Sequence, residues 1–225
     1  MNANAYDIDI LVEAGQVEDA VKSIFHTILL HRTTGKFHYR KEGTYTAGII
    51  GTEDVDCNFI DFTYVKVASE PLEKILSNHV NTFRDQLRLH RSKDCAVGTI
   101  TLEFYQKHRS RWPFSDECVP WEMWNLQVTE QTMPCESGRV LARETAGAVL
   151  ADKVASVVEA VGRHDFVPKM PTHTDLSLVF ETNLPDVQPY LFKIRYNLGD
   201  IGFAGSPNGV TTTLSSTVRR LFRDT

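Results

Sequence analysis

No stretch of this 225-residue chain reaches the roughly 18 uninterrupted apolar residues that a membrane-spanning helix requires. Nor does it open on a basic leader: "MNANAYDIDILVEAG" sets its acids inside the apolar run and does not read as a signal peptide. Cysteine is scarce, and Cys57, Cys95, Cys118 and Cys135 stand far apart. Without a secretory signal they are expected as reduced thiols in the cytosol. Positive charge is not in excess. The 24 Lys and Arg face 29 Asp and Glu, a net charge of −5, which argues against nucleic acid or an anionic membrane surface as the main partner.

Catalytic motifs are missing too. No CxxC or HExxH provides converging zinc ligands, so no metal site is expected, and no cofactor. No serine stands in a GxSxG elbow. "TTGK" (33–36) lacks the first glycine of a phosphate-binding loop, and aromatics rather than a helix follow it. His26 and His31, five apart on one helix, point to different sides and read as ordinary helix residues. "EDVD" (53–56) reads as a solvated acidic loop. A Cys–His pair is harder to exclude, because such residues meet only in space. Cys118 follows Asp116 and Glu117, and neighbouring carboxylates disfavour the thiolate a nucleophile needs. A small cytosolic thiol hydrolase using Cys118 is the alternative to the preferred reading, a binding protein that is not an enzyme.

What is present is a mixed pattern of elements. Residues 5–12 alternate, with Tyr6, Ile8, Ile10 and Val12 on one face, and predict a strand. Apolar residues from Val17 to Leu29 recur at helical spacing through about His31. Residues 35–50 suggest a hairpin, and 58–68 a strand with Ile60, Phe62 and Tyr64 on one face. Ser69 offers an N-cap and Pro71 a first turn for a second helix. "GTITLEFYQ" (98–106) turns Ile100, Leu102 and Phe104 inward and Thr99, Thr101 and Glu103 outward. Residues 121–130 read as a strand with Trp124, Leu126 and Val128 on one face, although Trp121, Trp124 and Val128 also fit helical spacing with Pro120 as a helix start; the strand is preferred because a loop of about 14 residues then makes an antiparallel pair with 98–106. A long helix over 137–162 is expected to bury Leu141, Ala148, Val154, Val158 and Val161, with Gly162 as its C-cap. "DLSLVFET" suggests a short helix, and 190–198 a last strand. The predicted class is α+β with a largely antiparallel sheet.

All three tryptophans lie in "SRWPFSDECVPWEMW" (110–124). Pro113 fixes its own φ and pushes Trp112 toward extended backbone, so Trp112 and Phe114 face the same side. Lys107, Arg109 and Arg111 precede them and Asp116 and Glu117 follow, charges that resist burial of the whole loop. The residues alone leave two readings open: an exposed hot spot, or rings folded back onto the sheet. Trp121 and Trp124 are expected in the core or the sheet.

"LLHRTTGKFHYRKEGTYT" (29–46), "GTEDVDCNFIDFTYVKV" (51–67), "LEFYQKHRSRWPFSDECVPWEMW" (102–124), "RHDFVPKMPT" (163–172) and "VQPYLFKI" (187–194) together resemble the autophagy-related protein 101 family, over most of the chain. The resemblance implies a HORMA fold, three helices on a mostly antiparallel β-sheet. It implies one such domain over 1–198 and a flexible tail over 199–225, too short and Gly-rich for a partner-wrapping safety belt. It implies a cytoplasmic, non-catalytic adaptor of the autophagy-initiating Ser/Thr kinase complex, acting at the phagophore assembly site. That adaptor pairs with the HORMA domain of autophagy-related protein 13 and stabilises it. It inserts into no membrane. Trp112, Pro113 and Phe114 match the family's WF finger, which recruits downstream autophagy factors. Val218, Leu221 and Phe222 in the tail are candidates for docking on another subunit; the alternative is a frayed terminus.

Overall fold

The computed structural model describes residues 3–41, 44–91, 95–109, 116–132, 136–163 and 166–199. Its main sheet has four strands in the order β1–β8–β7–β10. These are β1 (Asn4–Glu13), β7 (Cys95–His108), β8 (Glu117–Gln131) and β10 (Phe192–Leu198). β1 runs parallel to β8, and the other two pairings are antiparallel. The predicted α+β class with a mostly antiparallel sheet is therefore observed.

Register turns the alternation of each strand into continuous rows. One row runs Ile8–Leu126–Ile100–Tyr196, and the next Tyr6–Trp124–Leu102–Ile194. Because side chains alternate across a strand, these rows share one face. That face is the core, with Ile100, Leu102 and Val128 wholly buried.

Three long helices accompany the sheet: α1 (Val17–His31), α2 (Glu70–Leu89) and α3 (Glu136–Val161). α1 touches both α2 and α3, and this central position explains its burial on nearly every side, including Asp19, Ser23 and His26. α2 buries a single stripe, Leu72, Leu76, Val80, Phe83 and Leu87. It starts as its sequence predicts: the Ser69 hydroxyl accepts the Leu72 N–H at 3.3 Å, and Pro71 occupies the first turn. α4 (Leu176–Val179) is the single turn predicted from "DLSLVFET".

Three small antiparallel sheets are also found among the described residues. β2 (Thr33–Gly35) pairs with β9 (Val187–Pro189), β3 (Phe37–Lys41) with β4 (Thr44–Ala47), and β5 (Thr52–Asp56) with β6 (Thr63–Val67). The "TTGK" segment, not read as a phosphate-binding loop, lies mostly in β2. Two expectations are corrected here. The acidic 53–56 run is the β5 strand rather than a loop. The strand predicted over 58–68 begins only at Thr63. Ile60 is still buried, at 1% exposure, but from the turn that precedes it, where Cys57 N–H bonds to Phe62 O at 3.0 Å.

α3 is rotated relative to its predicted orientation. It buries Ala146, Leu150, Val157 and Val161 and exposes Leu141, Ala148 and Val158. The buried face is thus only partly the one the periodicity named: Val161 is buried and Val154 packs half-buried against the core, while Leu141, Ala148 and Val158 lie outward. Gly147 explains part of this orientation. A Cβ there would lie 2.5 Å from the Asp61 carbonyl oxygen, so only glycine lets the helix approach the 57–62 turn this closely.

Candidate partner-binding site

Strands β7 and β8 form one long hairpin, paired from Cys95↔Gln131 out to His108↔Glu117. The connection is thus 109–116, shorter than the loop of about 14 residues read from sequence. Trp112, Pro113 and Phe114 belong to this connection and lie outside the described residues, as do Val218, Leu221 and Phe222 of the tail. The flanking His108, Arg109, Asp116 and Glu117 are exposed.

The ladder shifts register between Phe104 and Tyr105, so that Phe104 faces Glu122 while Tyr105 faces Pro120. Trp121 is the extra residue of this bulge. It is 7% exposed and rests against Phe104, Phe166 and Tyr190. Trp124 is 2% exposed and stacks on Tyr6 with ring centroids 4.2 Å apart. Both were expected in the core or sheet, and both are there.

Beyond the bulge the hairpin end is braced from the 172–193 segment. Tyr105 N–H bonds to Leu191 O at 3.0 Å, and Lys193 Nζ lies 5.2 Å from the Tyr105 ring centre. Arg109 reaches the Asp175 carboxylate at 2.9 Å and donates to the Thr174 carbonyl at 3.1 Å. Cys118 sits opposite Lys107 in this ladder, exposed. Among the described residues no group of three His, Cys, Asp or Glu is placed to hold a metal ion.

A second surface exposes several large apolar side chains among the charges of Arg143, Glu144, Asp152 and Glu159. Val140, Leu141, Val149 and Val158 all project from α3 into solvent. Beside them, between α3 and the edge strand β1, lies a cleft of about 430 Å³ whose walls include Tyr6, Ile8, Trp124 and Val157, with Asp7 and Lys153 at hand.

Sequence reading missed the buried charges. Arg32, just past α1, is 1% exposed, and Glu122 is 0% exposed. The guanidinium grips the carboxylate with Nε at 2.7 Å from Oε2 and Nη2 at 2.9 Å from Oε1. Nη1 donates to the carbonyl of Val161, the last residue of α3, at 3.1 Å. Glu122 carried a usable signal: it shares strand parity with Trp124, Leu126 and Val128. Glu130 has the same parity, is also buried, and is met by Arg91. Glu103 was expected outward but is 2% exposed, covered by Lys193 and Arg195 from β10. Arg195 pairs across from Thr101 and Lys193 from Glu103 itself, so both long side chains converge on one carboxylate.

His26, read as an ordinary helix residue, is another such group. It is buried, its Nε2 lies 2.8 Å from Glu73 Oε2 of α2, and its ring stacks on Tyr64 of β6. Lys22 and Lys66 also reach Glu73, each at 3.4 Å. Burial pushes the His26 pKa down, outweighing the attraction of Glu73. The imidazole beside it, with the Ser77 hydroxyl and Lys22, holds the Glu73 carboxyl far below the usual range against its own burial. Both native values lie below the unfolded ones, so the unfolded chain binds more protons and stability rises with pH. The His26 contribution is complete above its unfolded value and is lost as pH falls through the native one. The Glu73 contribution is lost at still lower pH. Urea unfolding at several pH values between 7.5 and 5 is expected to show falling stability, with a shallower slope in His26→Gln.

Among the described residues no helix is long and apolar enough to cross a membrane. A protein-family model described as Autophagy-related protein 101 matches residues 9–174. Autophagy-related protein 101 of Xenopus tropicalis is 48% identical over 225 residues, which is 100% of this chain and 99% of that protein. The Homo sapiens protein of the same name gives the same figures. The Arabidopsis thaliana protein is 27% identical over 127 residues, 55% of this chain and 52% of its own length. This is a family of autophagy proteins rather than a known enzyme family. A match of this extent means that the chain belongs to the autophagy-related protein 101 family and has its role in autophagy.

Proposed function

We propose that the chain is a non-catalytic adaptor with a HORMA fold, a subunit of the autophagy-initiating Ser/Thr kinase complex. It pairs with the HORMA domain of autophagy-related protein 13 and stabilises it. It recruits downstream autophagy factors through Trp112, Pro113 and Phe114, in the cytoplasm at the phagophore assembly site. The tail residues Val218, Leu221 and Phe222 add a docking point on another subunit.

The observation that carries this reading is α3. Its inner side closes the core, yet Val140, Leu141, Val149 and Val158 stand exposed on its outer side among Arg143, Glu144, Asp152 and Glu159. Large apolar side chains left exposed together mark a face that a partner covers, and the charges among them suit the polar rim of an interface. The adaptor pairs through this surface. The recruiting residues lie in the connection of the β7–β8 hairpin, on a different element, so pairing and recruitment are separable.

The test is Trp112→Ala with Phe114→Ala. The double variant is expected to unfold within about 0.5 kcal/mol of the parent, as exposed substitutions do. It retains pairing with the HORMA domain of autophagy-related protein 13, measured by light scattering, and loses recruitment and autophagosome formation. A stability loss of several kcal/mol would instead make both rings core residues.

A further inference from the structure

We propose that Arg32 and Glu122 form a positioning pair that fixes the direction in which the hairpin end bearing Trp112 and Phe114 leaves the sheet; this rests on the recruiting role proposed above for that end. Glu122 occupies the last inward row before the bulge, Asn4–Glu122–Phe104–Phe192. One residue further out the ladder resumes with Tyr105 opposite Pro120. A bulge bends and twists its strand, and the bulged residue has no ladder partner to hold it. Here Trp121 must be held by something else.

Arg32 supplies the hold from several directions at once. Its two bonds to Glu122 fix the residue after Trp121. Its guanidinium carbon lies 5.9 Å from the Trp121 ring centre, close enough for a cation–π attraction. Its carbonyl accepts the Tyr190 N–H at 3.0 Å, and the Tyr190 ring meets Trp121 edge-on with centroids 5.3 Å apart. Its third contact, to Val161 O, anchors the guanidinium to the end of α3. The bulged tryptophan is thereby enclosed between a fixed cation and a fixed ring.

The chemistry suits positioning. A buried ion pair contributes little net stability compared with apolar residues of the same volume. A planar guanidinium bound through two parallel bonds does restrict orientation, in a way that a lysine ammonium cannot. Arg32→Lys keeps the charge and removes that restriction.

Amide hydrogen exchange on the full chain tests the pair directly. In the unsubstituted protein the amides of Trp121 and Glu122 are expected to exchange about as slowly as that of Leu126; fast exchange there overturns the proposal, whatever the variants do. In Arg32→Lys the amides of 105–107 and 117–119 are expected to exchange about tenfold faster, while those of 124–130 and α2 stay within about twofold. A uniform rise across the sheet would mean a merely structural role, and an unchanged hairpin end would mean none. Should Arg32→Lys fail to fold, Glu122→Gln provides the same local comparison, with the side-chain shape kept. Recruitment by the Trp112→Ala, Phe114→Ala double variant is read in parallel. If that recruitment survives, the recruiting role fails, and exchange alone judges the positioning pair.

Discussion

Arg32→Met is expected to lower the unfolding free energy by about 3–5 kcal/mol, the cost of leaving one member of a buried ion pair alone. Glu122 is 0% exposed and fixed in mid-strand, with β1 on one side and β7 on the other. It cannot swing into water once its cation is gone. Val161 O also loses a donor. Adding Glu122→Leu is expected to recover most of the loss, because the remaining space is walled by Trp121, Phe104 and Tyr190 and suits an apolar side chain. Urea titration of both variants decides the matter, read as a shift of midpoint at constant slope. A double variant as unstable as Arg32→Met would show that the pair attracts more strongly than its desolvation costs. Recovery of stability together with loss of an ordered hairpin end would separate what the pair does for the fold from what it does for direction.

Period alone located most of the fold. β1, β7 and β10 were legible because each alternates, and α2 because its cap, its proline and its single stripe agree; β8 also fitted helical spacing and was settled by the loop that would join it to β7 as an antiparallel pair. α3 was legible as a helix but only partly in its orientation, with Val154 and Val161 inward and Leu141, Ala148 and Val158 outward. Apolar residues stand on its outer side as well, and its buried face is set in part where Gly147 meets Asp61, a contact between residues far apart in sequence. The buried acids were illegible for a related reason. A glutamate reads as a surface residue until the cation that satisfies it is known, and Arg32 lies 90 positions from Glu122. Glu103 was misassigned by the same rule, since Lys193 and Arg195 arrive from the last strand. At the candidate site, the residues alone left Trp112 undecided between surface and core, whereas Trp124 was expected in the core or sheet whether its segment was strand or helix.

Trp124→Ala is expected to cost about 3–5 kcal/mol, the range for removing a large buried aromatic. The ring is 2% exposed, lies in the row with Leu102 and Ile194, and stacks on Tyr6 at 4.2 Å. Its place in the range follows from its surroundings. The cleft of about 430 Å³ between β1 and α3 already reaches this ring, so the vacated space is continuous with that cleft rather than sealed. Water can enter, and the cavity part of the penalty shrinks, which favours the lower end. The indole N–H acts in the same direction, being buried with no hydrogen-bond partner. Its desolvation is a standing cost of about 1–3 kcal/mol that any replacement without the N–H removes. Trp124→Phe keeps most of the stacking on Tyr6 and discards that cost, so it is expected to lose less than half as much as alanine in thermal or urea unfolding. If phenylalanine and alanine cost the same, Tyr6 stacking is not what holds β1 to β8 at this row, and the parallel pairing rests on the rows at Ile8 and Ile10 instead.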